Sequence, residues 1–572
     1  MNRSADRLKK WMSRLTDTDL VFVSGMALLA LFWCWRLPLG MANADETFYL
    51  SVPLRLLRGD HLLTDEWHVT QLSGFLLAPF LVLFRLVKGD MDGVALAFRA
   101  FWLAMHLCVT AISYCLLRPR GRLSAAAASL SYGLFCPFGI MALSYNTMGM
   151  AAVYLLAVLF FMGYHARPAN AAKGFLLAVA VLCNPYCLIL YAALLAAALA
   201  NRYLHFDDQL GAADLLYMHI GILILFVPFA VHVLSGMESL EHLLASLNLI
   251  LQDPEHPSHG FFAYSVESLR NMIMENPKFF AVFAALLIAG FPVRALRPFA
   301  LAGIALWCGY TALWDARWMT YSRGMNATAL YFWFTGIAVF LYDEERRARE
   351  GAYALLLPFL YMLCMNMASN QQFHVMACAA VSGTCLTVPM LVRYAKRHSL
   401  AVFGWHIPYM HLAALMVAVV QLAASGYVRS HYYFWEYPKD NPLTETIAQG
   451  PLRGIVTRPE NREKYDAFYQ AVGELGDIRD RQAMFYSCIP AGYLIADCEM
   501  GAPSAWTPYF TLRKERLLAY YELNPHKTPD LIFVDRETHT VWQREEFESY
   551  AEDYGYVISR YDERFAVLKK QK

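Results

Sequence analysis

The stretch that decides the fold is residues 20–49, LVFVSGMALLALFWCWRLPLGMANADETFY. Its first two thirds form an apolar run, and a membrane-spanning helix needs roughly 20 such residues. Two adjacent carboxylates, Asp45 and Glu46, follow just past the end of that run. Ionisable groups at membrane depth are costly, so such a pair is a candidate for function. The stretch predicts a membrane protein with two carboxylates at the mouth of its first helix.

The composition of the whole chain agrees with this prediction. Of 572 residues, 58% are hydrophobic and only 17% are charged, which is typical of a polytopic membrane protein. The net charge of +1 gives no argument for a nucleic-acid partner. The N-terminus is basic and no small-residue cleavage site follows it, so we expect a retained signal-anchor helix. Cys488 and Cys498 lie in a polar region, where they could form a disulfide or remain free thiols.

Apolar segments along the chain predict the membrane spans. These segments are 20–40, 94–117, 123–143, 147–163, 211–235, 278–296, 298–314, 327–342, 352–366, 371–392 and 400–424. The segment 174–200 is interrupted by Asn184-Pro185, and it is either one kinked helix or two short ones because proline lacks a backbone donor.

The distribution of Lys and Arg along the chain indicates how many of these segments cross the membrane. If 71–87 lies along the outer surface and 174–200 forms two spans, every strong basic cluster falls on the cytoplasmic side. If 71–87 crosses, the cluster around Arg118 falls outside. We therefore predict about 13 spans in the cell membrane, with the N-terminus inside and the C-terminus outside. The helix at 71–87 must then be amphipathic or partly buried.

The chain divides into a basic N-terminus (1–19), a transmembrane domain (20–424) with external loops 42–93 and 236–277, and a charged tail (425–572). The tail alternates short β-like runs with helical runs and predicts a small extracytoplasmic α/β domain. The β-like runs are 483–489, 493–498, 531–534 and 565–568. The helical runs are 460–475, 512–522 and 542–554.

The first external loop carries a family signature: Asp45-Glu46 and Tyr49, then Gly59-Asp60, then Gln71-Leu72-Ser73-Gly74. It resembles the first extracytoplasmic loop of the GT-C superfold of polyprenyl-phosphate-dependent glycosyltransferases. The resemblance is closest to the protein O-mannosyltransferase and lipid A aminoarabinose transferase branch. There a Lys-Pro-Pro-Leu-like stretch starts the next helix, and its Lys is associated with the lipid-linked phosphate. Here Gln71 stands in that place, so the donor phosphate contact would fall to Gln71, to His68 or to arginines near Arg323.

The resemblance implies an inverting hexosyl- or pentosyltransferase of the membrane. It would move a sugar from a polyprenyl-phosphate donor to an extracytoplasmic acceptor, such as an envelope glycan, lipid or protein. Asp45 is the candidate base, because an acceptor hydroxyl does not ionise near neutral pH and a positioned carboxylate typically helps about 10²–10⁴-fold. Glu46 would orient the acceptor or tune Asp45, and Tyr49 would contact substrate. Alternatively, the acidic pair only caps a juxtamembrane helix.

A second group in this loop, Asp65, Glu66 and His68, could contact substrate. Together with Asp45 it could hold a divalent cation through oxygen and imidazole ligands. Related oligosaccharyltransferases of the superfold use a metal, whereas the O-mannosyltransferase branch looks metal-independent. Alternatively, these residues belong to a solvated loop with a hydrogen-bonded histidine.

Arg317, Tyr321 and Arg323 lie in a predicted external loop, where arginine runs against the positive-inside trend. Because an Arg fork is a natural partner of a lipid phosphate, Arg317 and Arg323 are donor-binding candidates, with Tyr321 as a substrate contact. Otherwise these arginines pair with Asp315 or with lipid headgroups.

Two tight turns, Tyr145-Asn146 and Asn184-Pro185-Tyr186, either line the cavity or act only as turn signals. The aromatic-rich loop 256–264 could cover a substrate. Two rival functions remain at this stage. A transporter or flippase of lipid-linked saccharides would place its charges at mid-membrane, often in repeated halves. A non-catalytic envelope-assembly protein would carry a degenerate site.

Overall fold

The computed structural model describes residues 16–252, 260–317, 321–345, 348–369, 373–398, 400–402, 405–407, 409–433, 436, 442–486, 490–506, 514–536 and 544–571. Helices dominate the chain up to His431. In chain order these helices are α1 (Asp17–Arg36), α2 (Asn43–Leu57), α3 (Ser73–Lys88), α4 (Val94–Leu117), α5 (Arg122–Gly133), α6 (Tyr145–Met162), α7 (Arg167–Cys183), α8 (Leu188–Leu204), α9 (Ala212–Ser235), α10 (Leu240–Leu251), α11 (Phe261–Glu275), α12 (Pro277–Gly290), α13 (Arg297–Ala316), α14 (Tyr321–Met325), α15 (Tyr331–Tyr342), α16 (Ala348–Glu350), α17 (Leu357–Met367), α18 (Phe373–Ala379), α19 (Val381–Ala395) and α20 (Tyr409–His431). The π turns Asn326–Leu330 and Gly351–Leu356 join α14 to α15 and α16 to α17, and a short ribbon, β1 (Leu400–Val402) with β2 (Trp405–Ile407), precedes α20.

In the described part of the chain, eight helices are long and apolar enough to cross a membrane. A ninth span results if α11 and α12, bent by 91°, count as one. The chain is therefore a multi-pass membrane protein, but the prediction of about 13 spans is not confirmed. Some predicted spans are divided: α5 ends at Gly133, before the 3₁₀ turn Pro137–Gly139, and the segment 371–392 is split between α18 and α19.

The ambiguous segment 174–200 forms two helices, α7 and α8, as one of the two alternatives predicted. The break falls at Asn184-Pro185. The Asn184 side chain accepts a hydrogen bond from the Tyr186 backbone N–H and donates one to the Cys364 carbonyl. The first bond satisfies a backbone N–H at the break that proline introduces, and the second ties the break to α17.

One end of the bundle carries the C-terminal residues, and we refer to it as the domain-facing end. The Val456 N–H bonds the Pro38 carbonyl after α1, and the Ala95 N–H at the start of α4 bonds the Pro451 carbonyl. The segment between α1 and α4 therefore starts and finishes at this end. α3 also stays here, since Arg85 near its C-terminus pairs with Asp497 at 3.0 Å. The structure places residues 73–88 along this end and not across the bundle.

The opposite end collects the basic clusters that the sequence assigns to one side. Arg118 pairs with Asp19 at 3.4 Å, and Arg120 and Arg393 both pair with Glu350, at 2.8 and 2.6 Å. Clusters that are far apart in sequence thus meet in one ion-pair layer. Which end faces the cytoplasm remains a prediction.

The C-terminal part contains a five-stranded mixed sheet with helices. The elements of this part are β3 (Glu445–Thr446), β4 (Val456–Thr457), α21 (Pro459–Gly473), β5 (Gln482–Tyr486), α22 (Ala491–Ala496), β6 (Glu499–Met500), α23 (Lys514–Leu523), β7 (Leu531–Asp535), α24 (Arg544–Tyr554), β8 (Tyr556–Tyr561) and β9 (Phe565–Lys570). The strand order of the sheet is β6-β5-β7-β9-β8, parallel from β6 to β7 and antiparallel from β7 to β8. The small α/β region expected from the sequence is present, although α20 runs past Ser425 to His431.

Most predicted elements of this region correspond to β5, β7, β9, α21, α23 and α24. The β-like run 493–498 was wrong, because most of it lies in helix α22. So short an apolar run has no periodicity that separates strand from helix. In the structure Gly492 packs against the ring of Phe485, which fixes α22 on β5. Cys498 is buried, whereas Cys488 lies outside the described residues, so their pairing stays a prediction.

Candidate active site

Asp45 and Glu46 lie in the first turn of α2, at the domain-facing end of the bundle. Acidic side chains are favoured there because they complement the positive end of the helix dipole. Two contacts fix α2 in place. A Cβ at Gly74 of α3 would lie 2.5 Å from Val52, so these helices touch closely. On another side, the Ser51 hydroxyl donates a hydrogen bond to the Pro490 carbonyl of the C-terminal domain.

Glu46 is fully buried and engaged. Both of its oxygens accept hydrogen bonds from Arg99 of α4, each at 2.6 Å. Arg99 also donates to the carbonyls of Leu37 and Gly40. The bidentate pair therefore ties the start of α2 to the segment that leads into it, and Glu46 has a positioning geometry.

Asp45 is half-buried, one residue before Glu46 in the same turn. Tyr49 lies one turn further along α2, at the i+4 position that shares a helix face with Asp45. The ring of Tyr49 meets that of Tyr145 edge to face, with centroids 5.7 Å apart. The structure thus brings together Tyr49 and Tyr145, which the sequence singled out separately. The neighbouring Asn146 is buried, and its Oδ1 has no hydrogen-bond partner among the residues described.

His68 and Gln71 lie beside the middle of α2. The His68 ring packs 4.7 Å from Phe48, and the Trp506 ring of the C-terminal domain lies 5.5 Å from Phe48. His68 Nδ1 is within 2.8 Å of the Thr70 hydroxyl. The Gln71 Oε1 accepts from the Leu63 N–H, while its buried Nε2 has no partner in the described parts of the chain.

The acidic residues Asp60, Asp65 and Glu66 are used mainly in the joint with the C-terminal domain. The buried Arg55 guanidinium pairs with Asp60 at 2.5 Å and with Glu66 at 3.1 Å. Tyr520 accepts a hydrogen bond from Arg55 and donates one to the Asp65 carbonyl. Lys527 pairs with the other oxygen of Asp60.

The charges of this joint support one another. Burial alone would lower the pKa of Arg55, but Tyr520 and the nearby carboxylates raise it well above its usual value. Arg55 is therefore always charged. As for the predicted cation, no group of three His, Cys, Asp or Glu side chains within the described ranges could hold a metal ion. The structure gives Asp65 and Glu66 partners in the joint. Glu66 also accepts a hydrogen bond from the His68 backbone N–H.

The three residues of the 317–323 stretch occupy different positions. Arg317 stacks over Trp314, with its guanidinium carbon 3.2 Å from the ring centroid. Arg323, half exposed, lies 3.7 Å from Asp315, which is one of the alternatives foreseen. Tyr321 opens α14, but its side chain lies outside the described residues. Residues 256–259 of the aromatic loop also lie outside them.

Two buried arginines at the domain-facing end were missed by the sequence reasoning. Arg36, the last residue of α1, donates to the carbonyls of Leu39, Arg429 and Tyr432. Arg429, near the end of α20, contacts the Thr328 hydroxyl at 3.4 Å, and its Nε has no partner in the described ranges. Each is only 2% exposed. The sequence signal that could have identified each of them is a lone arginine at the end of an apolar run.

These arginines give the domain-facing end an excess of buried positive charge. Arg36 and Arg99 both donate to carbonyls of the segment before α2, and Arg36 also donates to the Arg429 carbonyl. Of these three arginines, only Arg99 has a carboxylate partner among the described side chains, Glu46. A buried charge without a partner is costly by several kcal/mol, roughly. The arrangement therefore suits an anion that comes from outside the chain.

Comparisons with known proteins place the fold. No family model matches the chain, and no curated protein does. Among solved structures, ArnT from Cupriavidus metallidurans bound to undecaprenyl phosphate matches with a TM-score of 0.50 and 12% identity, over 97% of this chain and 98% of that one. AglB, an archaeal oligosaccharyltransferase from Archaeoglobus fulgidus in complex with an inhibitory peptide and a dolichol-phosphate, matches with a TM-score of 0.46 and 12% identity, over 96% of this chain and 74% of that one. The chain has the GT-C fold that the loop resemblance implied.

Proposed function

We propose that this protein is a membrane glycosyltransferase that moves a sugar from a polyprenyl-phosphate donor to an extracytoplasmic acceptor. The structurally similar ArnT is bound to undecaprenyl phosphate, which supports a lipid-phosphate donor. The observation that carries the proposal is the pairing of two features at one end of the bundle. A half-buried carboxylate, Asp45, lies in the first turn of α2, and two buried arginines without a carboxylate partner among the described residues, Arg36 and Arg429, lie at the same end of the bundle.

The proposed reaction is a single inverting displacement. Asp45 accepts the proton of the acceptor hydroxyl as its oxygen attacks the anomeric carbon. The bond between that carbon and the phosphate oxygen breaks, and its electron pair leaves with the lipid phosphate. Tyr49 and Tyr145 form a wall beside Asp45 that suits a sugar ring.

The phosphate needs cations, because negative charge develops on it as the bond breaks. Arg429 is the best placed of the buried arginines, since it has donors to spare and no carboxylate beside it among the described residues. Arg323 is a second candidate, while the Gln71 Nε2 is a neutral donor nearer to the middle of α2. Arg317, His68, Asn146 and Tyr321 remain proposed substrate contacts. Asp65 and Glu66, which the sequence also suggested as substrate contacts, are assigned instead to the joint with the C-terminal domain.

Glu46 contributes to this reaction by holding Asp45 in position. Its carboxylate is occupied by Arg99, so it is better suited to hold the first turn of α2 than to accept a proton. We assign it as a positioning residue for Asp45.

Replacement of Asp45 by Asn tests the proposal. In cells that lack their own copy, D45N is expected to leave envelope glycans unmodified and lipid-linked sugar accumulated, as an empty vector does. The matched control is D90N, which removes an exposed carboxylate from the same external segment. Mass spectrometry of glycans and carrier lipids gives the readout. Normal glycans in D45N cells would contradict the mechanism.

A further inference from the structure

A second polar cleft lies at the far end of α2 from Asp45. It encloses about 370 Å³ between the turn after α2, the start of α10 and the C-terminal domain. Its lining includes Arg58, Asp65, Glu238, His242, Gln482 and Asn524. Arg58, the residue after the end of α2, is thirteen positions beyond Asp45, and a rise of about 1.5 Å per residue places the cleft about 20 Å from the proposed base.

Several residues that line the cleft carry buried polar atoms that have no hydrogen-bond partner in the described chain. Asn524 is fully buried, and its amide nitrogen reaches the Thr64 carbonyl while its Oδ1 bonds nothing. The Gln482 Oε1 also has no hydrogen-bond partner, whereas the Gln482 amide nitrogen donates to Glu499. Both ring nitrogens of His242 and the Nε of Arg58 complete the set. Buried polar groups are normally hydrogen-bonded, so several orphans around one cavity point to a ligand.

The orphan atoms define what that ligand must offer. Two are acceptors, the Arg58 Nε–H is a donor, and the His242 ring has one of each. Hydroxyl groups both donate and accept, so a polyhydroxylated ligand matches this mixture of donors and acceptors once the side chains turn toward the cleft.

The charged residues that line the cleft narrow the class of ligand further. The two lining cations are already paired, Arg58 with Asp497 at 2.8 Å and Lys527 with Asp60. Glu238 and Glu499 add negative charge to the wall. An acidic sugar would meet these carboxylates without a free cation, whereas a neutral or amino sugar would not.

We propose that this cleft binds a saccharide without acidic groups, as a distal subsite for the acceptor. Its role as an acceptor subsite rests on the proposed function, but saccharide binding itself does not. The cleft is built from three separate parts of the chain, so it exists only when the C-terminal domain is docked on α2 and α10.

The test is a glycan array probed with the detergent-solubilised full chain. Wild-type protein is expected to bind neutral or amino saccharides. Q482M and H242F each remove orphan hydrogen-bonding atoms and should weaken that binding about fivefold or more. The control Q470M makes the same change on an exposed face of α21, and it should bind as wild type does.

The D45N variant separates this proposal from the proposed function. It should keep array binding while losing transfer. The cleft proposal is overturned if no neutral or amino saccharide binds, if only acidic ones bind, or if Q482M and H242F bind like Q470M. Those results would leave the Asp45 mechanism standing if D45N still abolished transfer.

Discussion

The two ends of the helical bundle treat arginine differently. At the end away from the C-terminal domain, Arg118, Arg120 and Arg393 each lie within 3.4 Å of a carboxylate. At the domain-facing end, Arg36 and Arg429 are 2% exposed, and the oxygens they contact belong to backbone carbonyls and to Thr328. The three arginines at the first end are therefore neutralised by carboxylates of the chain. Arg36 and Arg429 have no carboxylate partner among the described residues, and such buried charge is costly unless a ligand anion neutralises it.

The largest expected effect is a loss in the free energy of unfolding, caused by a change at the end of the bundle away from the C-terminal domain. Arg393 bonds both Asp343 and Glu350, whose side chains are buried. R393M would remove one of the two arginines that neutralise each carboxylate, because Arg397 still pairs with Asp343 and Arg120 with Glu350. Breaking a buried ion pair on one side typically costs about 3–5 kcal/mol, and we expect the lower end of that range here. A thermal-unfolding assay in detergent should show this loss. An R393M protein as stable as wild type would remove the contrast between the two ends.

At the domain-facing end, replacement of Arg429 is expected to affect sugar transfer and not folding. R429Q removes a cation with no carboxylate partner in the described chain, so the fold should tolerate it. Loss of a group that stabilises transition-state charge typically lowers kcat about 10²–10³-fold. Transfer assays on membranes, with protein levels checked, measure this. If R429Q transfers normally, Arg429 does not hold the donor phosphate. If it unfolds instead, its role is structural.

The domain joint sharpens the comparison, because it lies at the domain-facing end and yet its arginine is fully paired. Tyr520 bridges Arg55 to the Asp65 carbonyl. Y520F removes this bridge and should lower the free energy of unfolding by about 1–3 kcal/mol, the usual range for hydrogen bonds to charged groups. Catalysis should be unchanged in the folded fraction. A large loss of transfer per folded molecule would show that the joint belongs to the active site.

How far the sequence could predict the molecule depended on the distance between partners. Asp45-Glu46 and Tyr49 were recognised because they follow an apolar run within a short local pattern. The role of Asp65 could not be foreseen, since the Tyr520 hydroxyl that bonds its carbonyl lies 455 positions away. Arg429 was missed because one arginine at the end of an apolar helix carries no motif. Short elements such as α22 were misassigned because packing on a sheet, and not periodicity, decides their structure.

The smallest expected effect is a pH dependence in the domain joint. Burial raises the pKa of Glu66 above 4.5, although Arg55 opposes the rise. In the window between 4.5 and that raised pKa, the folded protein binds more protons than the unfolded chain, so the contribution of Glu66 to stability increases as the pH falls. E66Q cannot titrate and should lack this gain. Melting temperatures of both proteins across that pH range give the difference, with E499Q, which changes a carboxylate of β6 in the C-terminal domain, as the control. If wild type gains no stability over E66Q as the pH falls, the Glu66 carboxylate is not held in an environment that disfavours its charge.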